Sequence, residues 1–352
     1  MPSFQYITGQ SHIKHHFARA ISKQHISHAY LIFGEEQMGK EALALSFAKM
    51  LLCETLKAQG YPEHASPCGT CPSCKKMEND AHPDVRIVRH EKPSSIRVDE
   101  IEEQLTNDAY LTPYAADYKI YIVPDAQLMT IDAQNKLLKT LEEPPSYVCI
   151  FLLSTSAQAL LPTIRSRTLP LSVRPVPGDM IEQELLQQED ASEYRASLAT
   201  RIARGNPGKA RRLFSDTRFE DRNRALFYLM EHLEQMALYE ITEKLTELLQ
   251  EAEDETSVRQ ECMETIKLLL RDMLVYKATD SKDYLILQDE WEYIRDVALH
   301  TTYAELMKTD YKLTEARERM HANVNPVAAL ELFFLQARTN LHRAPVQEAV
   351  RF

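Results

Sequence analysis

Glycine is scarce in this chain, with 8 residues in 352 against a usual share of about 7%. With so few positions free for unusual backbone turns, two glycines that fall in one motif carry weight. Tryptophan occurs once, at Trp291, and reads as a packing residue. No apolar run approaches the ~18 residues of a membrane span. Met1-Pro-Ser-Phe-Gln-Tyr6 is not a signal peptide, so a cytoplasmic protein is expected. Basic charge is also in deficit: 41 Lys and Arg face 52 Asp and Glu, a net charge of −11. The deficit is uneven. Residues 1–215 carry 24 basic and 25 acidic side chains, whereas residues 216–352 carry 17 and 27. Duplex DNA is held largely by Lys and Arg neutralising phosphates, so the acidic C-terminal third argues against nonspecific DNA binding there. The change of charge points to a domain boundary near residue 215. With 44% hydrophobic residues, the chain has ample material for two or three globular domains.

Two of the glycines do fall in a pattern. Tyr30 to Phe33 is a short β-favouring run that leads into Gly34, four residues, Gly39 and Lys40, then an Ala/Leu-rich helix from Ala42 to Leu52. Strand, glycine loop and helix are the setting of a phosphate-binding loop, in which backbone N–H groups and the helix dipole favour an anion. Lys40 would reach the outer phosphates. The next position should carry a hydroxyl for Mg²⁺; here it is Glu41. A strand–turn–helix junction that needs glycine only for its backbone is the plainer alternative. Lys119 to Val123 reads as a buried parallel strand, after which a working ATPase places an acidic Mg²⁺ ligand and then a glutamate base. This chain has Pro124 and Asp125 instead. The loop thus has the shape of a nucleotide site and lacks part of its chemistry. Val148 to Leu153 reads as a further strand, and Thr155 at its tip either faces a γ-phosphate or caps the strand.

Four of the six cysteines cluster: Cys53, Cys68, Cys71 and Cys74. Two consecutive C-x-x-C steps with a fourth thiol upstream suit a closed tetrahedral zinc site. A redox dithiol or buried free thiols are the alternatives. His64 and His82 could replace a cysteine but read as loop residues. Helices are expected over 13–24, 98–105 and 131–141, the last capped by Thr130 and stopped by Glu142-Glu143-Pro144-Pro145. Val85 to Arg89 and Leu169 to Val173 read as strands. Taken alone, Arg165-Ser166-Arg167 reads as a solvated turn. Beyond residue 178, helices are expected over 179–188, 192–204, 209–214, 217–236, 239–252, 256–277, 283–299 and 326–342. The apolar stripe Val327, Leu330, Phe334, Ala337 and Leu341 on the last is either core or a face for a neighbour.

Gly9-Gln10, His28-Ala-Tyr-Leu-Ile-Phe-Gly34, the four-cysteine insertion, His82-Pro-Asp84 and Asn135-Lys-Leu-Leu-Lys-Thr-Leu-Glu-Glu-Pro-Pro145 occur in this order. Pro162-Thr-Ile-Arg-Ser166-Arg167 and Gly205-Asn-Pro-Gly208 follow. Together they resemble the bacterial replicative clamp-loader ATPases of the DNA polymerase III holoenzyme. The matches are dense over residues 1–215; beyond, only Asn323-Val-Asn325-Pro is similar. The resemblance implies an AAA+ fold: a P-loop α/β domain over 1–172 with a zinc module at 53–74, a helical lid over 173–215 and an all-α collar over 216–352. It implies a hetero-pentamer with motor ATPase subunits and delta, acting on a sliding clamp and primed DNA during replication, with no membrane involved. Ser166-Arg167 resembles the family's Ser-Arg-Cys motif, with Thr168 for the cysteine, which makes Arg167 an arginine finger acting on a neighbour's ATP. Glu41 and Pro124 fit a non-motor member, leaving its own ATP/Mg²⁺ site degenerate: Gly34, Gly39, Lys40, Glu41, Asp125 and Thr155. Within the basic cluster Arg201, Arg204, Lys209, Arg211 and Arg212, Lys209 or Arg211 could touch nucleotide or DNA phosphate, or form a solvated face. Two other functions stay open: an active ATPase in which Asp125 serves for both missing carboxylates, and a zinc-containing DNA-binding module.

Overall fold

A computed structural model of the chain describes residues 7–62, 66–188, 192–250, 255–322 and 324–343. It divides into two compact units, Met1–Glu184 with Gly205–Lys209, and Leu185–Arg204 with Ala210–Phe352. His64 and Asn323 lie outside the described residues.

The first unit opens with α1 (Ser11–Ser22), β1 (Ala29–Phe33), α2 (Lys40–Leu51), α3 (Glu54–Ala58) and α4 (Pro72–Glu78). It continues through β2 (Val85–Ile87), α5 (Val98–Ile101), α6 (Asn107–Ala109), β3 (Lys119–Val123) and α7 (Ile131–Glu142). Strand β4 (Val148–Ser154), helix α8 (Pro162–Arg165), strand β5 (Leu169–Ser172) and α9 (Gly178–Leu185) complete the run. The strands form one parallel sheet in the order β2-β3-β4-β1-β5. Every residue of β3 and β4 is buried, as a sheet covered on both faces requires. Side-chain alternation divides the core in two. Tyr30, Ile32, Ile122 and Phe151 pack with Phe17 of α1 and Phe47 of α2. Leu31, Tyr121, Val123 and Leu152 face Ile101 of α5 and Leu137 of α7. Phe17 and Phe47 lie 4.7 Å apart, and Tyr30 stacks on Phe151 at 5.1 Å. The register pairs Phe33 with both Ser154 and Ser172, so the C-terminal tips of β1, β4 and β5 share one edge. Ligands of open α/β sheets bind outside that edge.

The helix expected over 98–105 is interrupted. A π-helical turn at Glu102–Thr106 joins α5 to α6. Ile101, Leu105 and Ala109 are fully buried at a spacing of four. An α-helix of 3.6 residues per turn carries such a row off the core, and a locally wider turn keeps it there. Strand β2 stops at Ile87 rather than Arg89, and the Gln104 side chain bonds the Arg89 N–H and carbonyl instead. The His82-Pro-Asp84 motif is an internal brace. Asp84, 1% exposed, accepts N–H bonds from Tyr114 (2.6 Å), Ala115 (2.7 Å) and Ala116 (2.9 Å).

Among its described residues the second unit is helical: α10 (Glu193–Ala203), most of α11 (Pro207–Ser215), α12 (Phe219–His232), α13 (Leu238–Gln250), α14 (Glu255–Thr279), α15 (Trp291–His300), α16 (Tyr303–His321) and α17 (Pro326–Asn340). Residues 251–252 of the expected 239–252 helix lie outside the described residues. Helix α11 starts two residues before the expected 209, with Pro207 in its first turn. The helix expected over 283–299 begins only at Trp291. Asp272, fully buried on α14, accepts the Ile286 and Leu287 N–H groups at 2.8 and 2.7 Å and holds that stretch out of helix. Helix α16 was not foreseen: its inward face, Leu306, Thr309, Leu313 and Ala316, is too thin to stand out in so polar a sequence. Its start does carry a signal, the reciprocal Thr302–Glu305 capping box. Leu330, Phe334 and Ala337 on α17 and Leu341 at its C-cap are buried within the unit, so most of that stripe is core. No helix of the described residues is long and apolar enough to cross a membrane.

Removing the Asp84 carboxylate strands three N–H groups. Asp84→Ala is expected to cost about 2–3 kcal/mol, read as a lower urea midpoint of the whole chain with the slope unchanged.

Candidate nucleotide-binding loop, arginine turn and cysteine cluster

The loop between β1 and α2 is held from three sides. The Gly34 N–H donates to the Ser154 carbonyl at 3.1 Å, and the Val173 N–H to the Phe33 carbonyl at 2.9 Å. Gly34 has φ +145°, and a Cβ there would lie 2.3 Å from Val173 Cγ2. Glycine is therefore required at 34 by the neighbouring strand, whatever the loop binds. Gly39, at φ +80°, begins α2 with open space around it. The third side is the Gly205–Lys209 segment. Asn206 Nδ2 donates to the Glu36 carbonyl at 2.8 Å, and a Cβ on Gly208 would lie 2.1 Å from the Gln37 carbonyl oxygen. The Gly205-Asn-Pro-Gly208 motif thus closes the loop's tip by backbone approach.

Lys40 does not project from this loop. Its Nζ donates to the carbonyls of Gly34 and Glu35, both at 2.7 Å. Burial pulls its pKa down, and Asp125, Glu36 and Glu35 push it back up. Glu41 is raised above the usual carboxylate range by burial, then by Asp125 and Asp80, against the pull of Arg89. Lys40, Glu41 and Asp125 are thus brought together as sequence reasoning expected. They form an ammonium satisfied by its own loop beside two mutually repelling carboxylates. Asp125 stands in the left-handed region (φ 47°) after Pro124 and accepts from Gln127 Nε2 at 3.2 Å. Gln127 Oε1 in turn accepts the Thr155 N–H at 3.1 Å, tying the tips of β3 and β4. Sequence reasoning missed Gln127, and an isolated glutamine carries no signal of such a bridge. At the positions where a working ATPase carries a hydroxyl and an acidic Mg²⁺ ligand, this chain has Glu41 and Pro124.

Ser166 and Arg167 occupy a separate turn after α8. Arg167 Nη1 donates to the Thr163 carbonyl (3.0 Å) and Ser166 Oγ (3.3 Å), and Nη2 pairs with Glu142 Oε1 at 2.8 Å. The buried Thr168 hydroxyl donates to the Ile164 carbonyl at 3.1 Å and closes the turn.

The four cysteines converge, with all sulfurs within 4.8 Å of one another. Zinc–thiolate bonds near 2.3 Å put tetrahedral sulfurs about 3.8 Å apart, so the cluster fits a metal with little contraction. The backbone turns its donors inward. The N–H groups of Cys68, Cys71 and Cys74 point at the sulfurs of Cys53, Cys68 and Cys71 at 3.5, 3.3 and 3.4 Å. The Thr55 hydroxyl, 3.2 Å from Cys68 Sγ, helps hold that thiol at about 5. Burial raises Cys74. Such donors suit thiolates. Cys53 and Cys74 are fully buried in the α2 side of the core, and Lys49 of α2 pairs with Glu78 of α4 at 2.6 Å. His82 instead accepts the Asp84 N–H on Nδ1 at 3.2 Å, and burial lowers its pKa.

The chain is 31% identical to DNA polymerase III subunit delta' of Bacillus subtilis (strain 168) over 317 residues, 89% of this chain and 91% of that one. It belongs to the delta' family of DNA polymerase III subunits. The family model described as DNA polymerase III, delta subunit, matches residues 9–177 of this delta'-family chain. DNA polymerase III subunit gamma/tau of Mycobacterium tuberculosis (strain ATCC 25618 / H37Rv) is 34% identical over 197 residues, 54% of this chain and a third (33%) of that relative. A solved DNA polymerase III gamma subunit-related protein of Thermotoga maritima aligns with 93% of this chain and 99% of its own, at 22% identity and a TM-score of 0.48. The delta'-family chain has the architecture expected for it, a parallel α/β domain with a glycine loop and a cysteine insertion, followed by helices.

The two glycines separate packing from ligand geometry. Gly34→Ala is expected to cost about 3 kcal/mol or more through backbone strain and collision with Val173. Gly39→Ala should cost only about 1–2 kcal/mol of strain. Denaturant midpoints of the two variants measure the difference.

Proposed function

We propose that this chain is a non-hydrolysing subunit of the DNA polymerase III clamp loader, and that it supplies Arg167 in trans to ATP bound by a neighbouring motor subunit. The observation that carries this reading is the contrast between two cations. Lys40 is turned into its own loop carbonyls, whereas Arg167 lies on a surface turn with its side chain 36% exposed. A guanidinium delivered across an interface stabilises the charge that develops during phosphoryl transfer and is worth about 10³–10⁵ in rate. The first unit supplies the P-loop frame for this, residues 173–215 act as a lid, and residues 216–352 form the collar of a hetero-pentamer. Through that assembly the chain helps place the sliding clamp on primed DNA in the cytoplasm. In the reconstituted complex, Arg167→Ala should lower ATP turnover at least a hundredfold with assembly intact, while Lys40→Ala should leave turnover unchanged. ATP hydrolysis by the isolated chain, abolished by Lys40→Ala, would overturn the reading in favour of an active ATPase that uses Asp125.

Cys53, Cys68, Cys71 and Cys74 hold one structural Zn²⁺ in this reading. All four positions are sulfur, so no site stays open for substrate and the ion's role is to tie α2, α3 and α4 together. Metal analysis should find one zinc per chain. Cys71→Ser or prolonged chelation should lower the melting temperature of the isolated protein by several degrees. Metal-free protein with an unchanged melting temperature would end this assignment.

A further inference from the structure

The finger reading leaves open what aims a long, flexible arginine at a neighbour's phosphates. We propose that Glu142 is a positioning residue for Arg167: its carboxylate, at the end of α7, holds the guanidinium so that its remaining donors face outward. This rests on the finger reading given above. Three contacts converge on the guanidinium from two elements, Glu142 Oε1, the Thr163 carbonyl and Ser166 Oγ. A guanidinium has five N–H donors. These contacts engage both Nη1 hydrogens and one on Nη2, which leaves the Nε–H and the second Nη2–H for an incoming anion.

The scaffold behind the pair is rigid. The Gln134 side chain, 5% exposed, accepts the Leu161 N–H at 2.8 Å and donates to the Met129 carbonyl at 3.1 Å, bolting α7 to the start of α8. Thr168 locks the other end of the turn. The separation of Glu142 and Arg167 is therefore set by buried hydrogen bonds and not by two loose surface chains. Local electrostatics points the same way. A carboxylate in the last turn of a helix is disfavoured by the helix dipole, and α7 ends in Glu142 followed by Glu143. A residue that breaks a local rule of this kind often serves a tertiary purpose, and here the cation it meets is Arg167. The pair is half-exposed, at 36% and 51% for the two side chains, so it is a weak tether. It can orient the arginine in the free subunit and release it to a phosphate with more charge.

The test is steady-state ATP turnover by the reconstituted clamp loader with clamp and primed DNA. Glu142→Gln removes the charge and keeps the shape; it should lower kcat about tenfold and leave KM within twofold. Glu142→Asp should recover part of the loss. Arg167→Ala with and without Glu142→Gln should give the same kcat, because a positioning residue has nothing to act on once the arginine is gone. Lys136→Gln, which breaks the Lys136–Glu102 pair (2.8 Å) on the same helix, should change nothing. If Arg167→Ala is crippled while Glu142→Gln works normally or faster, the proposal falls and the finger stands. If Arg167→Ala itself works normally, the finger reading falls and takes this one with it. Additive losses in the double variant would mean that Glu142 acts elsewhere, which also overturns the proposal.

Discussion

Two backbone hydrogen bonds at the end of β1 decide where everything else goes. Gly34 is bonded to β4 through Ser154 and, one residue earlier, Phe33 is bonded to Val173 beyond β5. With the three strands pinned side by side at their tips, the chain leaving β1 must bend between them. That bend is possible only because residue 34 has no side chain to meet Val173. The start of α2, Asp125 and the Thr155 backbone then fall on one edge without further specification.

That edge carries residues fixed for two different reasons. Gly34, the buried strands and the contact with residues 205–209 are demanded by packing, so their presence says little about nucleotide, whereas Gly39 has open space around it. The departures from the motif lie instead at Glu41 and at Pro124-Asp125, while Lys40 keeps the expected residue. An ammonium bonded to two loop carbonyls, flanked by carboxylates, is self-contained. Arg167, by contrast, is held at the periphery by groups that leave part of it free. The two cations are held on different elements, Lys40 at the start of α2 and Arg167 on the turn after α8.

The parts that could be read from sequence are those whose cause is local. Lys119–Val123 is an uninterrupted apolar run and forms a strand with those bounds. Thr130 caps α7 through a bond from the Ala133 N–H, as its position before an amphipathic run foretold. Glycine spacing and cysteine spacing are short-range patterns, and both loops form where they were expected. What escaped depends on partners far along the chain. Gln127, Gln134, Asp84 and Asp272 are ordinary polar residues until a distant backbone stretch arrives to be bonded. Glu142 looked like a helix stop, and its ion-pair partner Arg167 lies 25 residues away. The π-turn at 102–106 and the thin inner face of α16 escaped for a related reason, since each is settled by what packs against it.

The bond from Asn206 to Glu36 spans 170 positions, and the intervening stretch Leu185–Arg204 belongs to the other compact unit. The first unit is thus not contiguous in the chain. During synthesis, domains tend to assemble from the N-terminus as they emerge, yet this one lacks a piece until residue 209 has left the ribosome. Until then the loop between β1 and α2 lacks the wall that Asn206 and Gly208 supply. The nascent protein passes through an interval in which the loop between β1 and α2 is the unfinished part of its first unit.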